Sequence, residues 1–113
     1  MWAIYLTILV IILLNKNKEN FTVKKSNIHG VGVYTTKYYK KNSFLFEAIE
    51  SDKEITELGK YINHCDKPNT VLLKYNNGWS LFAIQDIDED TEILTNYKQA
   101  PYFIQPPNKN WTC

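Results

Sequence analysis

Arginine is absent from the 113-residue chain, whose cationic side chains are all lysine. Bidentate guanidinium recognition of phosphate is therefore unavailable, which argues against a specific nucleic acid as partner. Neither charge dominates: 13 basic residues against 12 acidic ones leave a net charge of +1 and a pI near 7.7. That balance points to no polyanionic or polycationic partner. Glycine and proline number only four each, too few for a low-complexity or linker-rich chain. The two cysteines, Cys65 and Cys113, are too few for a disulfide framework, and with Cys113 at the chain end the expectation is two reduced thiols. Together with His29 and His64 they show no paired metal-ligand spacing, so no metal is expected.

Long apolar runs are also missing, with one short exception. Met1–Leu14 is apolar apart from Thr7 and stops at Asn15-Lys16-Asn17-Lys18. At about 1.5 Å per residue it would reach roughly 21 Å as a helix, short of the roughly 30 Å of a bilayer core. It has neither the preceding positive charge nor the small-residue cleavage site of a secretory signal. A buried core helix is one reading. The other is an N-terminal hydrophobic helix (1–14) acting as a membrane anchor, since little else in the chain could cover it. Lys16, Lys18, Lys24 and Lys25 would then place the remainder on the cytosolic side. Residues 15–20 read as a polar linker, 21–98 as the folded domain and 99–113 as an aromatic, proline-rich tail.

The remaining chain, 44% apolar and 14% aromatic over the whole sequence, is rich enough to fold. FTVKKS reads as a strand, and NIHGVGVYTT as a turn entering a second. SFLFEAIE is a third, and SDKEITELGKYI opens with cap and acidic residues that predict a short helix. TVLLKY and WSLFAI, joined through Asn76-Asn77-Gly78, form a hairpin pattern. EILTNY adds one more short strand. The fold class expected is mostly β.

Several clusters could carry chemistry. The two glycines of HGVG allow close backbone approach, but ordinary turns use them too, and no helix follows to make a dinucleotide fingerprint. In YINHCDKPNT, His64 and Cys65 could be metal ligands or a nucleophile with its base, though adjacent side chains normally diverge. Asp66, Pro68 and Asn69 fit a structural turn, while Asn63 and His64 follow Ile62 and are candidates to point inward. The acids Asp86, Asp88, Glu89, Asp90 and Glu92 lack the glycine and ligand order of an EF-hand and read as a solvated turn. Tyr97 alone would be a packing residue.

In sequence order these pieces form one pattern. A Gly-x-Gly followed by Val-Tyr, an Asn-His-x-x-x-Pro-Asn, an Ala-Ile-x-Asp-Ile and a Glu-Ile-x-x-x-Tyr together resemble the SET-domain family of protein lysine methyltransferases, from about Phe21 to Tyr97. The short length is similar to the compact members of viruses and bacteria. The resemblance implies a SET-domain (β-clip) fold of small sheets, with the Asn-His segment threaded beneath a C-terminal loop as a pseudoknot. It implies S-adenosylmethionine as methyl donor, no metal, and a lysine of a protein or peptide, histones included, as acceptor. Gly30, Val31 and Gly32 would hold the methionine end of the donor, and Asn63 and His64 its polar and adenine portions. Tyr97 would be the catalytic tyrosine closing the transfer pore, and Tyr102, with Trp111 second, would cover the adenine.

Departures from the family pattern stand at Cys65, where serine is usual, and at Thr95, often Phe or Tyr. Asp90 replaces the usual turn glycine, and the stretch between Glu47 and Gly59 is short. The expectation is a membrane-tethered, cytosol-facing enzyme, in a host-cell or virion membrane if viral. The alternatives are a SET-like module that binds peptide or cofactor without turnover, and a small β adhesion module on a membrane stalk.

Overall fold

The computed structural model describes residues 20–51, 54–99, 101 and 113. The apolar segment 1–14, most of the 15–20 linker, and Tyr102 and Trp111 in the tail lie outside these residues. Among the described residues no helix is long and apolar enough to cross a membrane.

Among the described residues seven strands make three small sheets. Strands β1 (Phe21–Lys25) and β2 (Val31–Thr35) pair antiparallel, with Phe21 opposite Thr35. Strand β3 (Phe44–Ile49) is an edge of a three-stranded sheet whose centre is β6 (Gly78–Ala83) and whose other edge is β5 (Thr70–Tyr75). The β5–β6 hairpin keeps unbroken register from Thr70↔Ala83 to Tyr75↔Gly78. Its turn places Asn76 at φ 54°, a left-handed conformation that asparagine tolerates. Between β3 and β6 the register slips twice, so Ala48 and Ile49 are both buried although neighbours in sequence. The third sheet is a short parallel pair, β4 (Asn63–His64) and β7 (Leu94–Thr95).

The core lies where the sheets meet. Val33, Leu81 and Ile93 are fully enclosed there, with Phe21 stacked on Tyr39 at 5.4 Å. The segment 88–93 runs back along β2: Ile93 N–H donates to Val33 C=O (2.7 Å), and the buried Thr35 hydroxyl donates to Asp88 C=O (2.7 Å). These bonds carry the C-terminal strand toward β4 and position Tyr97, which stands in a 3-10 turn (Tyr97–Gln99) just past β7.

The short helix expected in SDKEITELGKYI is absent among its described residues. Glu50 N–H instead bonds Glu54 C=O (2.6 Å) and Thr56 N–H bonds Ala48 C=O (2.9 Å), folding the chain back on β3. Among the described residues of that stretch stands a 3-10 turn, Gly59–Tyr61. Local helix propensity is a preference of tenths of a kcal/mol per residue, and pairing with β3 outweighs it here. The cysteines also differ from expectation. Cys65 and Cys113 are disulfide-bonded, their α-carbons 5.6 Å apart across a separation of 48 residues, so the C-terminal residue is fastened to the domain.

Candidate functional site

Glu92 is the hub of the β1–β2 connection. Its two carboxylate oxygens accept the Ser26 hydroxyl at 2.8 and 2.9 Å, and Oε2 accepts the Asn63 amide at 2.8 Å. Ser26 Oγ in turn accepts the backbone N–H of Ile28 (2.9 Å), while Ser26 N–H donates to Gly30 C=O (2.9 Å). Asn63 Nδ2 also lies 3.1 Å from His29 C=O and 3.0 Å from Val31 C=O. An amide has two hydrogens, so it shares them among these three acceptors and ties the whole turn to one carboxylate. The Tyr34 hydroxyl gives its proton to Lys25 C=O (3.1 Å) and stands 3.4 Å from Glu92 Oε1. Burial first, and the nearby carboxylate second, hold that phenol above the ordinary tyrosine range.

The two glycines of HGVG serve different ends. A β-carbon on Gly32 would stand 2.2 Å from Glu92 Oε2 and 3.2 Å from Asn63 Nδ2, so only glycine lets the carboxylate approach. Gly30 adopts φ +52°, and a β-carbon there would meet nothing within 4 Å. Its need is conformational, and the space beside it is open.

Asn63 and His64 form β4, opposite Leu94 and Thr95 of β7. The His64 ring is buried, 5% exposed, and both its nitrogens are occupied. Nδ1 accepts the Tyr97 N–H (3.0 Å), which fixes the proton on Nε2, where it faces Asp66 Oδ1 at 3.1 Å. The ring therefore sets the start of the Tyr97 turn, and its centroid lies 5.3 Å from that of Tyr97. The Tyr97 hydroxyl donates to the backbone carbonyl of Ile62, directly before the Asn-His pair. Burial raises its pKa, so it stays a neutral phenol throughout the physiological range.

Asn69 is more than a turn residue. Its side chain accepts Leu94 N–H (2.9 Å) and donates to Glu92 C=O (2.8 Å), and the Thr70 hydroxyl donates to Leu94 C=O (2.8 Å). The C-terminal strand is thus held by Asn69 and Thr70 as well as by its pairing with β4. The structure brings Gly30, Val31, Gly32, Asn63, His64 and Tyr97 into one continuous hydrogen-bonded region. Tyr102 lies outside the described residues. Sequence reasoning passed over Glu92 and Ser26. The acids whose pattern predicts a solvated turn diverge: Asp86 accepts Lys41 N–H (2.9 Å), Asp90 pairs with Lys24, and Glu92 turns inward. The available signal was its place before the enclosed Ile93.

With this geometry in view, residues 48–98 match the SET domain family. Among solved structures of similar fold is a humanized mutant of the Chaetomium thermophilum Polycomb Repressive Complex 2 bound to the inhibitor GSK126, with a TM-score of 0.53 and 20% identity. That alignment covers 68% of this chain and 14% of the other, so the likeness is to one part of a much larger protein. No curated protein matches the sequence. Residues 48–98 are thus similar to the SET domain family, and the described residues share a fold with that structure.

Proposed function

We propose that the chain is an S-adenosylmethionine-dependent protein lysine N-methyltransferase. The observation that carries the reading is Tyr97: a buried neutral phenol, aimed by the Ile62 carbonyl and set by His64, beside the Asn63–Glu92–Gly32 node. The site suits a cationic, amino-acid-bearing donor. Glu92 supplies negative charge, Gly30 leaves open space on one side, and Asn63 fixes the turn between them. S-adenosylmethionine, when bound, supplies an electrophilic methyl group whose transfer neutralises a sulfonium, so no strong acid is required of the protein.

The chain's own contribution is positioning and a local field. The hydroxyl of Tyr97, having donated to Ile62, retains lone pairs that can accept from an incoming amine or polarised methyl group. Burial around Tyr97 disfavours a charged ammonium and favours the neutral lysine amine that attack requires. His64, both of whose ring nitrogens are taken, acts through its backbone and by holding Tyr97. Thr95, buried beside His64, stands two residues before the catalytic tyrosine and would border the space for the methylated amine.

Radiolabelled methyl transfer to histones and other lysine-rich proteins tests the proposal, with Tyr97→Phe as control. Donor binding by calorimetry without transfer to any substrate would favour the non-catalytic binding module instead. No donor binding would sink both. Tethering through residues 1–14 belongs to the same proposal, and deleting them should release the protein from membranes. The cytosolic orientation rests on Lys16, Lys18, Lys24 and Lys25. The Cys65–Cys113 bond weighs against it, because such bonds persist mainly outside reducing compartments.

A further inference from the structure

The side chain of Asp66 is 69% exposed, yet its carboxylate closes a loop of contacts around Tyr97. Oδ1 lies 3.1 Å from His64 Nε2 and 3.7 Å from Lys98 Nζ. The opposite imidazole nitrogen, Nδ1, accepts Tyr97 N–H at 3.0 Å, and Lys98 is the next residue of the chain. Asn96 keeps those two residues in one frame: its Oδ1 accepts Lys98 N–H and its C=O accepts Gln99 N–H, both at 3.0 Å. Cys65, between His64 and Asp66, gives its N–H to Thr95 C=O at 3.0 Å, so the two backbones are already joined there. Between them lies the buried imidazole, whose proton has two places to sit.

Those two tautomers are not equivalent here. With the proton on Nε2, Nδ1 accepts from Tyr97 and Nε2 donates to Asp66, so both neighbours are satisfied. With it on Nδ1, donor faces donor at Tyr97 and acceptor faces acceptor at Asp66. The imidazolium keeps the Asp66 contact and loses the Tyr97 one. Among the described residues, the charged or titratable groups recorded around the imidazole are Asp66 from its own segment, Lys98 behind that carboxylate, and Tyr97 from the turn after β7. Thr95, opposite His64 in β7, is neutral, and Cys65 is held in its disulfide.

We propose that Asp66 is a positioning residue for Tyr97, holding the His64 proton on Nε2, and that protonation of Nδ1 releases the Tyr97 backbone and switches transfer off in acid. The inference rests on the methyltransferase reading and adds to it a control by pH. Asp66 acts through His64 and touches neither donor nor amine. Release at the Tyr97 backbone leaves the Ile62 contact of its hydroxyl in place, so the fold persists while the aim of the phenol changes. Lys98 draws the exposed carboxylate toward the turn that Tyr97 opens, which keeps Asp66 on the imidazole.

The test uses the full chain in detergent, labelled with nitrogen-15 for magnetic resonance of the imidazoles, of which there are only two, His29 and His64. His64 should appear at neutral pH as the Nε2–H tautomer, and the Tyr97 amide signal should move in step with protonation of its ring. Asp66→Ala should admit the second tautomer and lower kcat about three- to tenfold, the worth of one hydrogen bond, with donor affinity and thermal midpoint close to wild type. Asp66→Asn, whose amide oxygen can accept the same proton, should restore the tautomer and most of the rate. Protonation of the substrate amine alone lowers the rate about tenfold per pH unit in acid. Wild type should fall more steeply than that once His64 titrates. An Nδ1–H tautomer in wild type, or a Tyr97 amide that ignores the imidazole, would overturn the proposal. So would an asparagine variant as impaired as alanine, or a loss of rate that merely follows a loss of folded protein. If no donor binds while the tautomer and the joint titration hold, the methyltransferase reading falls and the coupling of Asp66 to Tyr97 stands. If transfer occurs and Asp66→Ala alters neither spectrum nor rate, the coupling falls alone.

Discussion

The carboxylate of Glu92 rests on the α-carbon of Gly32, so closely that a β-carbon at position 32 would come within 2.2 Å of Oε2. That contact joins the C-terminal strand to the β1–β2 turn across 60 residues of sequence. Gly32→Ala should push the carboxylate away from Ser26 and Asn63, costing about 1–3 kcal/mol through overpacking and leaving polar groups unpaired. Thermal unfolding measures the stability change, and calorimetry with S-adenosylmethionine measures the loss of donor affinity that should accompany it. Glu92→Gln, nearly the same shape, should keep most of the stability and lose donor affinity. An unaltered affinity in Glu92→Gln would remove the carboxylate from the donor site.

Tyr97→Phe deletes one hydroxyl and leaves the Ile62 carbonyl without that donor. Stability should fall by roughly 0.5–1.5 kcal/mol, the usual net worth of one hydrogen bond. Methyl transfer should fall further, about 100-fold or more, as for the loss of a preorganised polar group in a water-poor site. Donor affinity should be nearly unchanged, since the hydroxyl already has a partner within the chain. Single-turnover transfer measured beside calorimetry separates the two, and equal losses in both would mean that Tyr97 only supports the fold.

Asp90 occupies the turn position at φ 57°, where a side chain is strained and glycine is at ease. Aspartate tolerates this conformation better than most residues, and here it also pairs with Lys24. Asp90→Ala should lose the pairing and keep the strain, costing about 1 kcal/mol. Asp90→Gly loses the pairing and relieves the strain, so it should stay within about 0.5 kcal/mol of wild type. Urea midpoints for the two variants check the order, and an alanine variant as stable as the glycine variant would contradict it.

The parts of this fold that a sequence reveals are those decided by neighbours along the chain. The hairpin Thr70–Ala83 announces itself through Asn76-Asn77-Gly78 and the residues on either side, and β1, β2 and β3 through their β-branched and aromatic runs. Where partners are remote, local pattern misleads. Glu54 and Glu57 sit in a helix-like pattern, but bonds from Thr56 and Glu50 fold that stretch onto β3. Strands β4 and β7 hold two residues each, too few to show a period, and emerge only because they pair with each other. Glu92 looked like any solvated acid because Ser26, its partner, lies 66 residues away. Asn63, His64 and Tyr97 were found through the family pattern rather than through any property of their own segments.

Cys65 stands where the SET pattern it resembles usually has serine, and here it is bonded to Cys113. Closing a 48-residue separation removes chain entropy from the unfolded state worth about 4 kcal/mol in the loop model. Reduction, or Cys65→Ser, should therefore lower stability by about 2–4 kcal/mol, read from urea unfolding with and without a reducing agent. Mass spectrometry of unreduced protein should show both thiols blocked from alkylation. Free thiols in protein purified without reductant would contradict the bond.

Alkaline pH should weaken the fold through its buried phenols. Burial raises the pKa of Tyr97 and Tyr39, and burial together with Glu92 raises that of Tyr34. In the unfolded chain these groups lose their protons near the ordinary value of about 10, before they do so in the folded state. Above that pH the unfolded state binds fewer protons than the native one, so the free energy of unfolding falls as pH rises. Below it the contribution is fully present. Urea midpoints should thus be steady up to about pH 9 and fall toward about pH 11. Tyr97→Phe, which cannot ionise, should show a shallower fall than wild type over the same interval. A midpoint that holds or rises there would show that the phenols ionise as easily in the folded protein as outside it.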